Sequence, residues 1–403
     1  MTHPPARRPK AQIGVGGLLL GPKEKRYLRR VIESNRLSYG PMTRRFEAKF
    51  ARMHDCRFAA FCNSGTSALH VALAALKERY GWRDGDEVLV PSVTFVATAN
   101  IVFHNRMRPV LVDVDPKTYN LDPGQLSRHL SRRTRAVIPV HLLGLPCDMD
   151  PILAFARRHR LRVIEDSCET MFARYRGRRV GSMGDIGCFS TYVAHYIVTG
   201  VGGLATTNDP DLAVRLRSLM NHGRDSIYMS IDDDKGVKGR RLREIVSRRF
   251  SFTSMGHSFR ATELEAAIGL GQLEEKDDII LSRTARAARL TAGLRDLEDH
   301  LQLPTTPPDR DHVFMLYPVV LRRRDKTGLV NFLESRGIET RDLMPLIRQP
   351  IYRKMYGGLA RRYPVAAWLD RCAFYIGCHQ FLKAPDLTHI LGCIHEYFRR
   401  SPR

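Results

Sequence analysis

The stretch CFSTYVAHYIVTGVGGLATTND, residues 188–209, reads as strand, polar turn, glycine turn, strand. His195 stands in the polar turn, and Gly200-Val201-Gly202-Gly203 make the glycine turn. A strand pair of this kind belongs to a larger sheet, and the preceding chain supplies its other members.

Short apolar, β-branched runs alternate with helical patterns. RFAAFCNSG (57–65), DEVLVPSVTF (86–95), RPVLVDVD (108–115), RAVIPVHLLG (135–144) and LRVIEDSCE (161–169) read as strands. TSALHVALAALKERYG (66–81), DPILAFARRHR (150–160) and NDPDLAVRLRSLMNHG (208–223) read as helices, the last opened by Asp209-Pro210 at cap and first-turn positions. Continuous apolar strands separated by helices predict an α/β fold with a mostly parallel sheet covered on both faces. The charged segment 232–249 reads as a surface excursion. Residues 260–296 read as one long helix connecting two domains, and a second α/β pattern starts at 307–321. Residues 1–285 are expected to form a large domain, and residues 286–403 a smaller C-terminal one.

Composition narrows the classes. A chain of 403 residues with 43% hydrophobic residues can bury a sizeable core, and no apolar run approaches 18 residues, so no membrane span is expected. The opening MTHPPARRPKAQIGVGGLLLG (1–21) mimics a signal peptide, but its apolar part is short, glycine-broken and continuous with the amphipathic GPKEKRYLRRVIESN (21–35). Export is therefore not expected. Eight scattered cysteines without a CxxC pair imply free thiols in a cytoplasmic setting and no metal site. The formal charge of +23 is spread over arginine pairs along the whole chain rather than gathered in a nucleic-acid-binding patch, and it would also attract a phosphorylated substrate.

Taken singly, the chemical motifs are open to more than one reading. FCNSGTSALH turns a strand into a helix through Ser64-Gly65, which makes either an anion site or a simple capped helix. Asp166 sits just past a strand, where a carboxylate serves as metal ligand, base, partner for a cation, or solvated loop residue. Phe95 follows another strand, as a core residue or a stacking ring.

The order of these motifs resembles the sugar aminotransferase family known as DegT/DnrJ/EryC1/StrS. Matching segments include SYGPMTRRFEAKFA (38–51), CNSGTSALHVAL (62–73), VPSVTFVATAN (90–100), PVLVDVDPKTYNLDP (109–123), VIEDSCETMFARYRGRRVGSMGDIGCFS (163–190), RLRSLMNHG (215–223), ATELEAAIGLGQLE (261–274) and SRGIETR (335–341). The resemblance implies the type I, aspartate-aminotransferase-like fold and a pyridoxal or pyridoxamine phosphate cofactor (PLP or PMP). It assigns Gly65, Thr66 and Ser190 to the cofactor phosphate, Phe95 to stacking on the pyridine ring, and Asp166 to the pyridinium nitrogen. A carboxylate beside that nitrogen raises its pKa and keeps it protonated, as an electron sink requires. Glu169 stands where members often carry glutamine, near the ring oxygen. Ser258 replaces an asparagine that in relatives reaches the cofactor phosphate of a neighbouring subunit, with His257 beside it as a possible substitute.

One departure decides the chemistry. His195 aligns with the lysine that holds the cofactor covalently, and the chain has no lysine between Lys117 and Lys235. An imidazole moves protons near neutrality but cannot form the stable covalent link. The substitution resembles a subgroup of sugar 3-dehydratases, which use PMP and a histidine base to remove the C3 hydroxyl of a 4-keto-6-deoxy sugar nucleotide. The clustered cysteines of its iron–sulfur branch are absent, so the iron-free branch, which regenerates PMP with glutamate, is the better match. Val201 in place of a glutamate, and Ala-His-Tyr in place of a His-His pair, leave two alternatives: an aminotransferase forming an amino sugar, or a catalytically degenerate member. The resemblance also implies a homodimer acting on a nucleotide sugar.

Overall fold

The structure, a computed structural model, describes residues 12–230 and 232–400, so most of the signal-like stretch lies outside the described residues. Helices α1 (Pro22–Ser34) and α2 (Pro41–Met53) precede β1 (Phe58–Cys62), which turns directly into α3 (Gly65–Tyr80). Then come β2 (Glu87–Pro91), α4 (Val96–His104), β3 (Arg108–Val112), β4 (Thr134–Val137), α5 (Met149–His159) and β5 (Arg162–Asp166). A two-stranded hairpin, β6 (Arg174–Tyr175) and β7 (Arg178–Arg179), leads to β8 (Ile186–Ser190), β9 (Gly203–Thr207) and α6 (Pro210–Leu219).

Seven of these strands form one sheet in the order β1-β9-β8-β5-β4-β2-β3. β9 alone runs antiparallel to its neighbours; the other pairings are parallel. Strands β2, β8 and β9 are buried along their whole length, which is why they read as small and apolar runs apart from Glu87 at the head of β2 and the polar residues that end β8 and β9. Register positions the site. Gly203 on β9 pairs with both Cys62 at the end of β1 and Ser190 at the end of β8, and Asp166 pairs with Cys188. The carboxyl ends of β1, β5 and β8 therefore converge at one edge, where α/β sheets bind ligands.

Two expectations are corrected. Residues 232–249 contain a helix, α7 (Gly239–Arg248), whose amphipathic pattern centres on buried Ile245, while Asp232 just before it pairs with Arg36 and Arg44. The single helix expected over 260–296 is two, α8 (Glu263–Leu273) and α9 (Lys276–Gly293). Tertiary packing separates them. A Cβ at Gly269 or Gly271 would press on the Phe46 ring at 2.6 Å or on the Glu24 backbone at 2.8 Å, so α8 is clamped against α2 and α1. Asp277 and Asp278 then favour a fresh helix N-terminus. α9 runs unbroken through position 285.

The smaller C-terminal α/β unit has an antiparallel sheet in the order β10-β11-β13-β12, made of β10 (Leu301–Gln302), β11 (Leu316–Leu321), β12 (Thr340–Asp342) and β13 (Ala373–Gly377). Helices α10 (Thr327–Ser335), α11 (Pro350–Tyr356), α12 (Pro364–Cys372) and α13 (Ala384–Arg400) accompany it. Residues 13–15 of the amino-terminal segment are tied to this unit through an Ile13–Ile338 bridge and a Val15 N–H to Glu339 hydrogen bond of 2.9 Å. No described helix is long and apolar enough to cross a membrane.

Candidate active site

A cavity of about 380 Å³ opens at the converged strand ends. At one corner α3 begins immediately after β1, and the first-turn N–H groups of Gly65 and Thr66 have no acceptor within their own helix. Ser64 caps the helix by accepting from the Ser67 N–H at 3.0 Å. The positive helix end and these free donors suit an anion. A Cβ at Gly65 would lie 2.8 Å from the Ser190 Cβ and 3.0 Å from the Cys168 Sγ. A Cβ at Gly203 would sit 2.4 Å from the Gly65 nitrogen. Gly202 holds a φ of 149° against the Thr191 hydroxyl. The double glycine thus lets β9 lie flush against the helix start.

Asp166 closes β5 and is buried. Its Oδ2 accepts from the Thr98 hydroxyl at 2.8 Å and its Oδ1 from the Cys168 N–H at 3.2 Å. Burial pushes its pKa up, and among the described residues it forms no ion pair. A buried carboxylate held by donors but without a cation fits a protonated ring nitrogen. Phe95, at the N-cap of α4, lines the same cavity and is 56% exposed, as a ring waiting for a stacking partner would be. An anion corner, an unpaired buried carboxylate and an open aromatic face together fit PLP or PMP.

His195 also lines the cavity, in the connection between β8 and β9. Its Nδ1 lies 3.1 Å from the Tyr192 carbonyl, which can only accept, so Nδ1 carries the proton and Nε2 the lone pair. Burial lowers its pKa to about 4, against the smaller opposing effect of that hydrogen bond. It is a neutral base at physiological pH. Glu169 is buried at the cavity wall; its Oε2 accepts from the Leu143 N–H at 3.0 Å, and burial pushes its pKa up to about 7.

The structure therefore brings together Gly65, Thr66, Phe95, Asp166, Glu169, Ser190 and His195. Ser258 lies elsewhere, bridged to Asn221 and accepting from Arg260 at 3.0 Å. Thr98 was missed by sequence reading, although its place three residues after Phe95, one turn along α4, signals a shared face. Val15, Met344 and Tyr375 also line the cavity, from segments that carry no local motif. No group of three or more His, Cys, Asp or Glu residues among the described residues could hold a metal ion.

A family model for the DegT/DnrJ/EryC1/StrS aminotransferases matches residues 19–395. The chain belongs to this family. Among DegT/DnrJ/EryC1/StrS relatives, GDP-perosamine synthase of Caulobacter vibrioides is 38% identical over 346 residues, 85% of this chain and 87% of that protein. The dTDP-4-dehydro-2,6-dideoxy-D-glucose 3-dehydratase of Saccharopolyspora spinosa is 32% identical over 381 residues, 91% and 82% of the two chains. The solved aminotransferase from Psychrobacter cryohalolentis superposes with a TM-score of 0.86 at 28% identity, across 96% of this chain and 99% of that one. The protein is an enzyme of the type I PLP fold with a PLP or PMP cofactor. Its relatives include both a dehydratase and aminotransferases, and identity does not place it with the dehydratase.

Proposed function

We propose that this enzyme uses the amine form of the cofactor on a keto sugar nucleotide, with His195 as the proton carrier, and that the outcome is loss of the C3 hydroxyl. One observation carries the reading. The residues lining the cavity include no lysine, and they include a histidine whose Nε2 has no hydrogen-bond partner among the described residues.

Bound in this cavity, the cofactor supplies an amine nucleophile and an electron-accepting ring. The chain's own groups do the rest. The Gly65 and Thr66 N–H groups and the Ser190 hydroxyl bind the phosphate. Asp166, aimed by Thr98 and Cys168, holds a proton at the ring nitrogen. Phe95 covers a ring face. Leu69, Met315 and Leu316 give the wall an apolar surface. His195 accepts a proton at Nε2, and burial, which disfavours its charged form and lowers its pKa to about 4, favours passing that proton on. A leaving hydroxyl needs such a donor.

A second reading, amino transfer to the keto sugar, is favoured by the 38% identity to GDP-perosamine synthase and by the aminotransferase superposition. Glutamate as amino donor serves either reading. A homodimer in which Ser258 faces the partner's cofactor belongs to the same proposal.

The test is a product analysis. Enzyme supplied with PMP, glutamate and a panel of 4-keto-6-deoxy sugar nucleotides yields, on the first reading, a sugar lacking the C3 oxygen. An amino sugar that retains this oxygen establishes the second. Cofactor binding without turnover of either kind identifies a catalytically degenerate member.

A further inference from the structure

Two carboxyl groups, Asp166 and Glu169, line one cavity, and the ring nitrogen of the cofactor can neutralise only one. Glu169 Oε2 is engaged by the Leu143 N–H, while Oε1 has no hydrogen-bond partner among the described residues. The titratable groups around Glu169 are Asp166 and Cys168 from its own segment, Tyr196 from the β8–β9 connection and Tyr375 from β13. His195 shares the cavity and is neutral at pH 7. Arg283 lies over the Tyr196 ring at 5.0 Å, but its Nη donors are engaged by the carbonyls of Met315 and His195. Glu169 thus has a like charge nearby and, among the described residues, no cation to stabilise its ionised form.

We propose that Glu169 acts in its neutral, protonated form, donating a hydrogen bond from its carboxyl into the cavity to an acceptor oxygen of the bound cofactor, so that cofactor affinity falls as the medium turns alkaline. The inference rests on the cofactor occupying this cavity. The ring and phosphate oxygens of PLP and PMP are acceptors. A carboxylic acid can donate to them, whereas a carboxylate has no donor and repels them. The pKa of about 7 places the change near neutrality.

The test is the dissociation constant of PMP from pH 6 to pH 8.5, followed by absorbance and protein fluorescence, for the wild type and Glu169→Gln. The amide keeps a donor at every pH, so the variant also reports titration of the cofactor itself. The ratio of the wild-type to the variant constant is expected to stay near its pH 6 value up to neutrality and to rise about tenfold by pH 8. Calorimetry of the wild type at pH 8, in buffers of different ionisation enthalpy, should show about one more proton taken up on binding than in the variant. Parallel pH dependences overturn the inference, as does equal proton uptake. If Glu169→Gln does not fold, wild-type calorimetry at pH 8 still decides once free PMP has been titrated in the same buffers: uptake of about one proton beyond what completes the protonation of PMP itself supports the inference, and uptake no greater than that overturns it. PMP binding at pH 6 that is lost in Asp166→Ala tests the placement of the cofactor separately. Tight binding unaffected by that substitution would sink the placement rather than the protonation.

Discussion

The guanidinium of Arg283 donates to the backbone carbonyl of His195 at 3.1 Å and to that of Met315 at 2.6 Å. Arg283 is 1% exposed, and among the described residues no carboxylate pairs with it. One buried cation on α9 therefore fastens the turn that carries the proposed base to Met315, the residue just before β11. Arg283→Met leaves both carbonyls unpaired, at a cost of about 1–3 kcal/mol for each buried group. The expected result is a lower melting temperature together with faster amide exchange over residues 192–199; Arg283→Lys, with a single head group, should fall between. Unchanged exchange in the methionine variant would contradict the fastening role.

His195→Asn should bind PMP nearly as well as the wild type while losing about 10²–10⁴-fold in turnover, the usual contribution of a positioned acid–base group. His195→Lys should allow borohydride to fix pyridoxal phosphate to the protein, and the wild type should not. Mass spectrometry of the reduced, unfolded chains checks both.

Asp166→Asn removes the charge at the ring nitrogen. Charged hydrogen bonds contribute about 1.5–3 kcal/mol, so PMP affinity should fall by about one to two orders of magnitude. The Asn side chain retains hydrogen-bonding contacts with Thr98 and Cys168, so the melting temperature without cofactor should change little.

Gly65→Ala places a methyl group 2.8 Å from Ser190 and 3.0 Å from Cys168. Overpacking of this kind costs about 1–3 kcal/mol. Because the displaced backbone is the phosphate corner, inorganic phosphate should also compete less well for the site, which a competition titration against PMP would reveal.

Two groups make stability depend on pH in opposite senses. The folded pKa of His195, about 4, lies below the ordinary 6.5, so its contribution is complete above pH 6.5 and is lost as pH falls toward 4. The folded pKa of Glu169, about 7, lies above the ordinary 4.5, so its contribution is complete below pH 4.5 and is lost as pH rises through 7. The melting temperature of Glu169→Gln relative to the wild type, measured without cofactor, should therefore climb between pH 5 and pH 8. A constant difference would count against a raised pKa.

The parts of the site that lie at strand ends were legible because short apolar runs announce buried strands, and residues immediately after them occupy the binding edge. Phe95 and Gly65 lie just beyond such strands, and Asp166 is the last residue of one. His195 was legible as a departure inside an otherwise matching segment. Arg283 and Tyr375 were not, because each reaches the site through packing between distant segments, Arg283 of α9 at the His195 carbonyl and Tyr375 of β13 on the cavity wall near Glu169. The break between α8 and α9 was hidden for a similar reason: Gly269 and Gly271 are tolerable in an isolated helix and become meaningful only when Phe46 and Glu24 press on them. The charge-rich 232–249 segment concealed a helix because a single buried residue, Ile245, anchors it.

A pocket wall with histidine where an amine would have been grafted onto the coenzyme makes loading a matter of mass action. Dilution or dialysis should empty the protein, and replenishment should restore it without any chemical step. The aldehyde and amine forms would then exchange through the surrounding solution, and the fraction of active molecules would follow the supply of vitamin B6 vitamers.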